Sequence, residues 1–548
     1  MSLTDQFPRS IPGKTGSTVP PSPYVEFGAL YDLHGGMLDL GRMSQAMRLG
    51  IDFGTTRVVV AAVDRGNYPI LSFETPEGPM DWFPPVVALQ GEDRRYGWAA
   101  WASQAEPGWT FVRSLKRTLE DAGPQTMLEV DGTRHLVMEL LVGMGGELKR
   151  ALGLDGPLEV MLGVPANANS NQRFLTIEAF RRAGFQVLGL LNEPSAAAIE
   201  FGHRQQFVGR LLVYDLGGGT FDASLVELDK KVHTVVASEG IVTLGGDDFD
   251  HVLADMAVDE TRLAELSVGE LFQLLEECRR QKEALHPNTR KIVVDLDHAR
   301  EGWGQVTISA AAFYERCRPL VEETIRTVAG LVGNDSIDVL YVTGGGSELP
   351  LVSRMLREAF GRRVRRSAYS RSATAIGLAI QADAASGYTL RDVFARNFGV
   401  WREAEGGRVM VFDVIFPRGT RLPSPGEPPL SVERHYHPVH NVGHFRYLEA
   451  SHVDGEGRPQ GDIAAWDEVW FPFDPLLASH PDLPWASVVP SETVASQEIE
   501  EHYACSAAGR VAVTIRNVTA QYQREYTIGR WAPPAAPVVL PTKGRRRR

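Results

Sequence analysis

Two stretches of this chain repeat one device. LGIDFGTTRVVVAAV at 49–63 and VYDLGGGTFDASLVEL at 213–228 each run from an apolar strand through an Asp and a Gly-rich turn with Thr into a second apolar strand. Glycine has no Cβ, so such a turn can take φ > 0 and its backbone can approach a ligand closely. Successive N–H groups in the turn form an anion-binding nest, and Thr hydroxyls add donors for phosphate oxygens. An Asp ending the incoming strand can hold the hydration shell of Mg2+, a metal that keeps several waters. A single hairpin of this kind is as often a plain tight turn. Two of them facing each other across a cleft would clamp a triphosphate and its metal, one loop from each lobe. A third Gly-rich turn, VTGGGSELP at 342–350, follows a strand and opens a helix. It suits the sugar or base end of a nucleotide, or meets a phosphate through the helix N-terminus.

The rest of the chain divides by composition. Residues 1–47 are rich in Pro, Gly and Ser and read as a disordered extension. GKT at 13–15 is not a P-loop, because Pro8 stands where that motif needs Gly. Met43, just before the first strand, is an alternative start. From 48 to 386 strand-like and helix-like segments alternate, as in an α/β fold with helices covering sheets. NSNQRFLTIEAFRRAG, EPSAAAIEFG and VGELFQLLEECRRQKEAL read as helices. Residues 387–397 read as a linker, 398–532 as a β-rich sandwich-like domain, and 533–548 as a disordered basic tail.

The formal net charge of −13 argues against nucleic acid or an anionic membrane as the main partner. No apolar run is long enough to span a bilayer. The three cysteines form no C-x-x-C pair, which fits a reduced, cytoplasmic setting.

At this point the chain resembles the actin-like ATPase superfamily, and within it the DnaK-type seventy-kilodalton heat-shock chaperones. GVPANANSNQRFLTIEAFRRAGFQVLGLLNEPSAAAIEFG (163–202) is similar to that family's central signature, and LVYDLGGGTFDASLVEL and EGIVTLGGDDFD are similar to the next two. The resemblance implies a two-lobed actin-like ATPase domain with ribonuclease-H-like sheets, followed by a β-sandwich for extended apolar peptides. It implies ATP/ADP and Mg2+ as ligands, with K+ as a further candidate, and slow hydrolysis of ATP to ADP and phosphate. By position, Asp52 and Asp215 would hold Mg2+ through water, with Glu193 ordering the shell. Gly54, Thr55, Thr56, Gly217, Gly218, Gly219 and Thr220 would cradle phosphates, with Gly245 and Gly246 in the next motif. Lys116 would approach the γ-phosphate and attacking water. Lys282 would lie near the ribose, and Gly345 and Gly346 at the nucleoside. Pro165 and Arg173 match a switch proline and its arginine, and Asp392 matches the linker acid. Plainer roles compete: Lys116 as a solvated helix face, Glu193 as a favourable charge at a helix start, Thr220 as a turn residue, and Asp247 and Asp248 as helix caps.

The departures are specific. Gly189 stands where the family has an arginine for J-protein coupling, so a standard J-protein is not the expected cochaperone. Glu348 and Glu283 replace arginines at the nucleoside end, which predicts weaker nucleotide binding. Arg57 follows Thr56, and SRSATAIGLA replaces an acidic segment. Arg391 interrupts the apolar linker run, which predicts weakened docking. Nothing after 530 reads as a helical lid. His435, His437, His440 and His444 crowd one stretch, read as a His-rich loop or strand edge rather than a metal site. Three functions follow: a chaperone-type ATPase holding unfolded client polypeptide, a nucleotide-sensing adaptor or exchange-factor-like relative with a dedicated partner, and, last, a small-molecule kinase.

Overall fold

The computed structural model describes residues 46–528 and 538–539, except 77, 120–121, 123–125, 167, 169, 259–262, 264–265, 334–335, 392, 395, 405–408, 425, 454–456, 458 and 480–488. Asp392, nearly all of the expected leader and most of the tail lie outside these residues. Val538–Val539, read from sequence as tail, pair with Tyr522 and Gln523 at a sheet edge.

The same plan is built twice. In the first sheet the strands run in the order Val58–Ala62, Met47–Phe53, Leu158–Val164, Gln186–Asn192. The first two form an antiparallel hairpin, and Met47–Phe53 then pairs in parallel with Leu158–Val164. The second sheet places the hairpin Gly209–Leu216/Phe221–Asp229 beside Val339–Thr343, again antiparallel and then parallel. Val364–Arg366 extends it on one side, and Val232–Ile241 and Thr389–Arg391 on the other. VVVAA at 58–62 is buried at every position, as a strand covered on both faces requires. The expected helices form at Ser170–Arg182, Glu193–Gln205 and Val268–Glu283.

Two helices lie between the sheets. Glu193–Gln205 carries Pro194 in its first turn, where a missing N–H costs nothing, and is buried from Glu193 to Gly202. Ala373–Ala382 packs against it and against Met47–Phe53. The approach is backbone to backbone. A Cβ on Gly377 would lie 1.8 Å from the Ala196 carbonyl oxygen, and one on Gly50 would lie 2.2 Å from the Ala379 nitrogen.

Beyond 396 two antiparallel sheets face each other. One is ordered Val409–Phe416, Asn397–Ala404, Val442–Val453, Pro459–Pro472. The other is ordered Leu430–Tyr436, Ile499–Cys505, Val511–Asn517, Tyr522–Ile528, Val538–Val539. Strict alternation of burial in Ile499–Cys505 and Val511–Asn517 gives the inner face of a sandwich. Its core holds Phe398, Tyr447, Trp466 and Tyr503. Among the described residues past 388 the helices are short 3-10 turns at Pro475–Leu477 and Glu492–Val494.

The linker strand includes Arg391, from which weaker docking is expected. Thr389–Arg391 joins the second sheet as a parallel strand beside Val232–Thr234. A ladder is made by backbone groups, so a charged side chain does not forbid it. Nearby, Arg418 donates to the Ser238 carbonyl at 3.3 Å and forms an ion pair with Glu239, tying the β-rich region to the same sheet.

The glycine contacts give a paired test. Gly377→Ala is expected to cost about 3 kcal/mol or more by forcing the helices apart. Gly330→Ala, on an exposed helical position with nothing within 4 Å of its Cβ, is expected to gain about 0.5–1 kcal/mol. Urea unfolding midpoints of the two variants check both.

Candidate functional site

The two Gly-Thr loops meet at the floor of the cleft between the lobes. Gly217 closes its turn by donating to the Thr220 carbonyl at 2.9 Å. A Cβ on Gly218 would lie 2.4 Å from Thr56 Oγ1, and one on Gly219 would lie 2.4 Å from Thr55 Cγ2. Only glycine lets the loops come this close. The next motif is strapped underneath: Gly246 and Asp247 donate to the carbonyls of Gly217 and Gly218 at 2.9 and 2.7 Å. Asp248 caps its helix by accepting from Gly245 N–H at 2.7 Å. The third turn enters through Gly344 at φ 81, where a side chain would strike the Leu216 carbonyl.

One cavity is lined by Asp52, Gly54, Thr55, Thr56, Lys116, Glu193, Asp215, Gly217, Gly218, Thr220, Gly246, Lys282, Gly345 and Gly346. Gly219 and Gly245 stand directly behind it. Pro165 and Arg173 lie outside. Beside Pro165, the Ala166 N–H donates to Asp222 at 2.7 Å, and Arg173 donates at 2.7 Å to Oδ1 of Asn192, the residue before Glu193.

The charges at the floor do not balance. Lys116 is buried and donates to Glu193 in a tight ion pair. Its own burial would lower its pKa, but Glu193 and Asp52 outweigh that and raise it. Burial and then Glu193 push Asp52 up to about 7, against the pull of Lys116. Burial and Glu193 likewise push Asp222 up to about 7, despite the Ala166 N–H. Asp215 is driven well above the usual carboxylate range by burial, Glu193 and Asp52. Four carboxylates thus share one lysine. Among the described residues no three His, Cys, Asp or Glu side chains converge as a direct metal cage. A divalent cation held through its own waters fits this donor set.

Asp222 was not singled out in the sequence, although it lies two residues after Thr220 and pairs across the hairpin with Asp215. At the rim, residues that stand as separate departures in the sequence come together. Arg57 donates to both carboxylate oxygens of Glu283, at 2.8 and 2.9 Å, from one lobe to the other. Arg371 bonds the same Glu283 at 3.1 Å and Glu348 at 2.6 Å. Arg371 thus places a cation beside Glu348 and Glu283 at this end of the cleft, already engaged by both. The signal was present as four departures in charge, but only the fold joins them. The bridge continues outward: Arg57 lies over Trp82 at 5.2 Å, Arg113 pairs with Glu276 at 2.6 Å, and Phe272 packs on Trp101 and Phe111. The histidines have separate partners: His444 stacks on Trp470 at 3.6 Å and bonds Glu468, and His437 bonds the Gln497 carbonyl.

The rim bridge makes a pH prediction. Burial alone would raise Glu283, but Arg57 and Arg371 outweigh it and hold it at about 2, below the ordinary 4.5. A depressed acid contributes its stability above the unfolded pKa and loses it as pH falls toward the folded one. Glu283→Gln is therefore expected to be about 2 kcal/mol less stable than the parent at pH 7. The gap should narrow as pH falls from 4.5 toward 2, read as urea midpoints at pH 7 and pH 3.

No helix among the described residues is long and apolar enough to cross a membrane. A family model described as Hsp70 protein matches residues 151–423. Chaperone protein HscA of Serratia proteamaculans (strain 568) is 34% identical over 414 residues, covering 68% of this chain and 64% of that protein. The Chaperone protein HscA homolog of Haemophilus influenzae (strain PittEE) is 30% identical over 419 residues, covering 69% and 64%. Chaperone protein HscA of Cronobacter sakazakii (strain ATCC BAA-894) is 34% identical over 415 residues, covering 68% and 64%. The chain thus spans somewhat under two thirds of the length of these relatives. With its actin-like pair of lobes and the β-rich region that follows, this chain belongs to the Hsp70 family.

Proposed function

We propose that this protein is an ATP-dependent chaperone, in which ATP binding and slow hydrolysis govern the holding of client polypeptide by the β-rich region. The observation that carries the reading is the cluster of Asp52, Glu193, Asp215 and Asp222 around Lys116, set between two phosphate-sized loops. Hydrolysis of this kind is mostly positioning and charge stabilisation.

Asp52 and Asp215, on opposite lobes, would hold Mg2+ through its waters, and Glu193, which anchors Lys116, would order that shell. When bound, Mg2+ would neutralise charge on the β- and γ-phosphates. The backbone of Gly54–Thr56 and Gly217–Thr220 cradles the phosphates, and the hydroxyls of Thr55, Thr56 and Thr220 add donors. Lys116, kept protonated by its carboxylates, faces the γ-phosphate and the attacking water. Lys282, bonded to the Gly246 carbonyl at 2.6 Å and to Asp250 at 2.7 Å, serves the ribose side, with Gly345 and Gly346 at the nucleoside. Pro165, Arg173 and the docked linker, with Asp392, carry the nucleotide state to the β-rich region. K+ is a further candidate ion. The partners are client polypeptide and a cochaperone or exchange factor other than a standard J-protein, in the cytoplasm.

The Arg57–Glu283 bridge favours a second reading. A cleft closed by an ion pair and an aromatic bridge would release nucleotide slowly, as a nucleotide-sensing adaptor would.

Single-turnover hydrolysis of radiolabelled ATP tests the site. Thr220→Ala and Lys116→Ala are each expected to slow the step by at least about tenfold. An unchanged rate in both, with ATP still bound, would remove the assigned roles and leave the adaptor.

A further inference from the structure

A cavity of about 410 Å³ opens in the β-rich region, where the strands Asn397–Ala404, Leu430–Tyr436 and Val442–Val453 approach one another. Two arginines on its wall are already satisfied. Arg402 is bound by Asp413 at 2.7 Å and by both oxygens of the fully buried Glu501 at 2.9 and 2.7 Å. Arg434 takes both oxygens of Asp413 at 3.0 Å. The third, Arg446, is different. Its Nε is buried and has no hydrogen-bond partner, and it sits directly across the ladder from Trp401 on the same wall. An unpaired buried donor of this kind costs free energy until something accepts from it. Among the described lining residues Asp413 is the one carboxylate, and both its oxygens are taken; Glu468, across the other ladder from Arg446, bonds His444 at 2.9 Å.

Among the described residues, the backbone beside the cavity also has a strand partner on one side only. Leu430–Tyr436 pairs with Ile499–Cys505 on one side only and is the outer strand of its sheet among the described residues. An outer strand presents a row of N–H and C=O groups to which an extended chain can add.

We propose that this cavity selects client segments that carry an acidic side chain. An extended segment lies along the free edge of Leu430–Tyr436 and presents an Asp or Glu to Arg446, while an apolar neighbour packs on Trp401. This rests on the client-binding reading and adds its chemical preference. The guanidinium fork donates to a carboxylate in a geometry that neither a neutral amide nor an ammonium group can match.

Fluorescence anisotropy on the full chain tests it, with labelled nine-residue Leu/Val-rich peptides that differ only in a central Glu, Gln or Lys. The Glu peptide is expected to bind about tenfold tighter than the Lys peptide at low salt. The gap should shrink at 0.5 M NaCl, because partly exposed charges are screened. Arg446→Gln is expected to erase the Glu preference and leave the Gln peptide within about twofold. Equal binding of Glu and Lys peptides to the unaltered chain, or a preference that survives in Arg446→Gln, would overturn the proposal and leave client binding standing. Failure of all three peptides with ATP and with ADP would remove the client reading and the preference together.

Discussion

The lysine at the floor of the cleft is outnumbered. Asp52, Glu193, Asp215 and Asp222 all feel its charge, and burial makes each unneutralised carboxylate expensive. The excess negative charge is the reason to expect a cation, and the expected cation brings phosphates. It also explains where the arginines stand. Arg57, Arg113 and Arg371 are at the rim, paired with Glu276, Glu283 and Glu348 of their own, and the floor is left to Lys116. Because Asp52 and Asp215 come from different sheets, the site exists only while the two lobes stay in register.

From that floor to the β-rich region the path is short. Asp222 faces Gly240 across the ladder, and the next residue, Glu239, holds Arg418. The same strand, at its other end, accepts Thr389–Arg391. A shift of Asp222 on loss or gain of a cation would therefore act on a strand that grips the β-rich region at one end and the linker at the other. One packed strand thus carries both attachments.

Some of this could be read from the chain alone. The hairpins at 49–63 and 213–228 announce themselves because Asp, Gly and Thr must fall at fixed places for such a turn to form. The helix at 268–283 carries its Ser267–Glu270 capping box, and the helix at 193–205 its first-turn Pro194, within a few residues. Lys116 and Glu193 needed the family resemblance, since 77 residues separate them and each alone suits a solvated or helix-start role. The rim was invisible for the same reason: Arg57 and Glu283 are 226 residues apart. In the linker the sequence shows side-chain polarity at Arg391, whereas the contact with Val232–Thr234 is made by the backbone. Among the β-strands, Pro459–Pro472 begins Pro-Gln-Gly-Asp, which reads as a turn, and only its neighbour Val442–Val453 makes it a strand.

The glycine crossing between the two central helices has a mechanical meaning. With Gly377 against the Ala196 carbonyl and Gly50 against the Ala379 backbone, there is no clearance for sliding and no side chain to act as a cog. Such a joint allows twist about the contact and resists translation, like a thrust bearing. Opening of the cleft is then a rotation, in which displacement grows with distance from the axle. The rim pair Arg57–Glu283 grips at the end of that lever, where a single ion pair exerts its greatest torque.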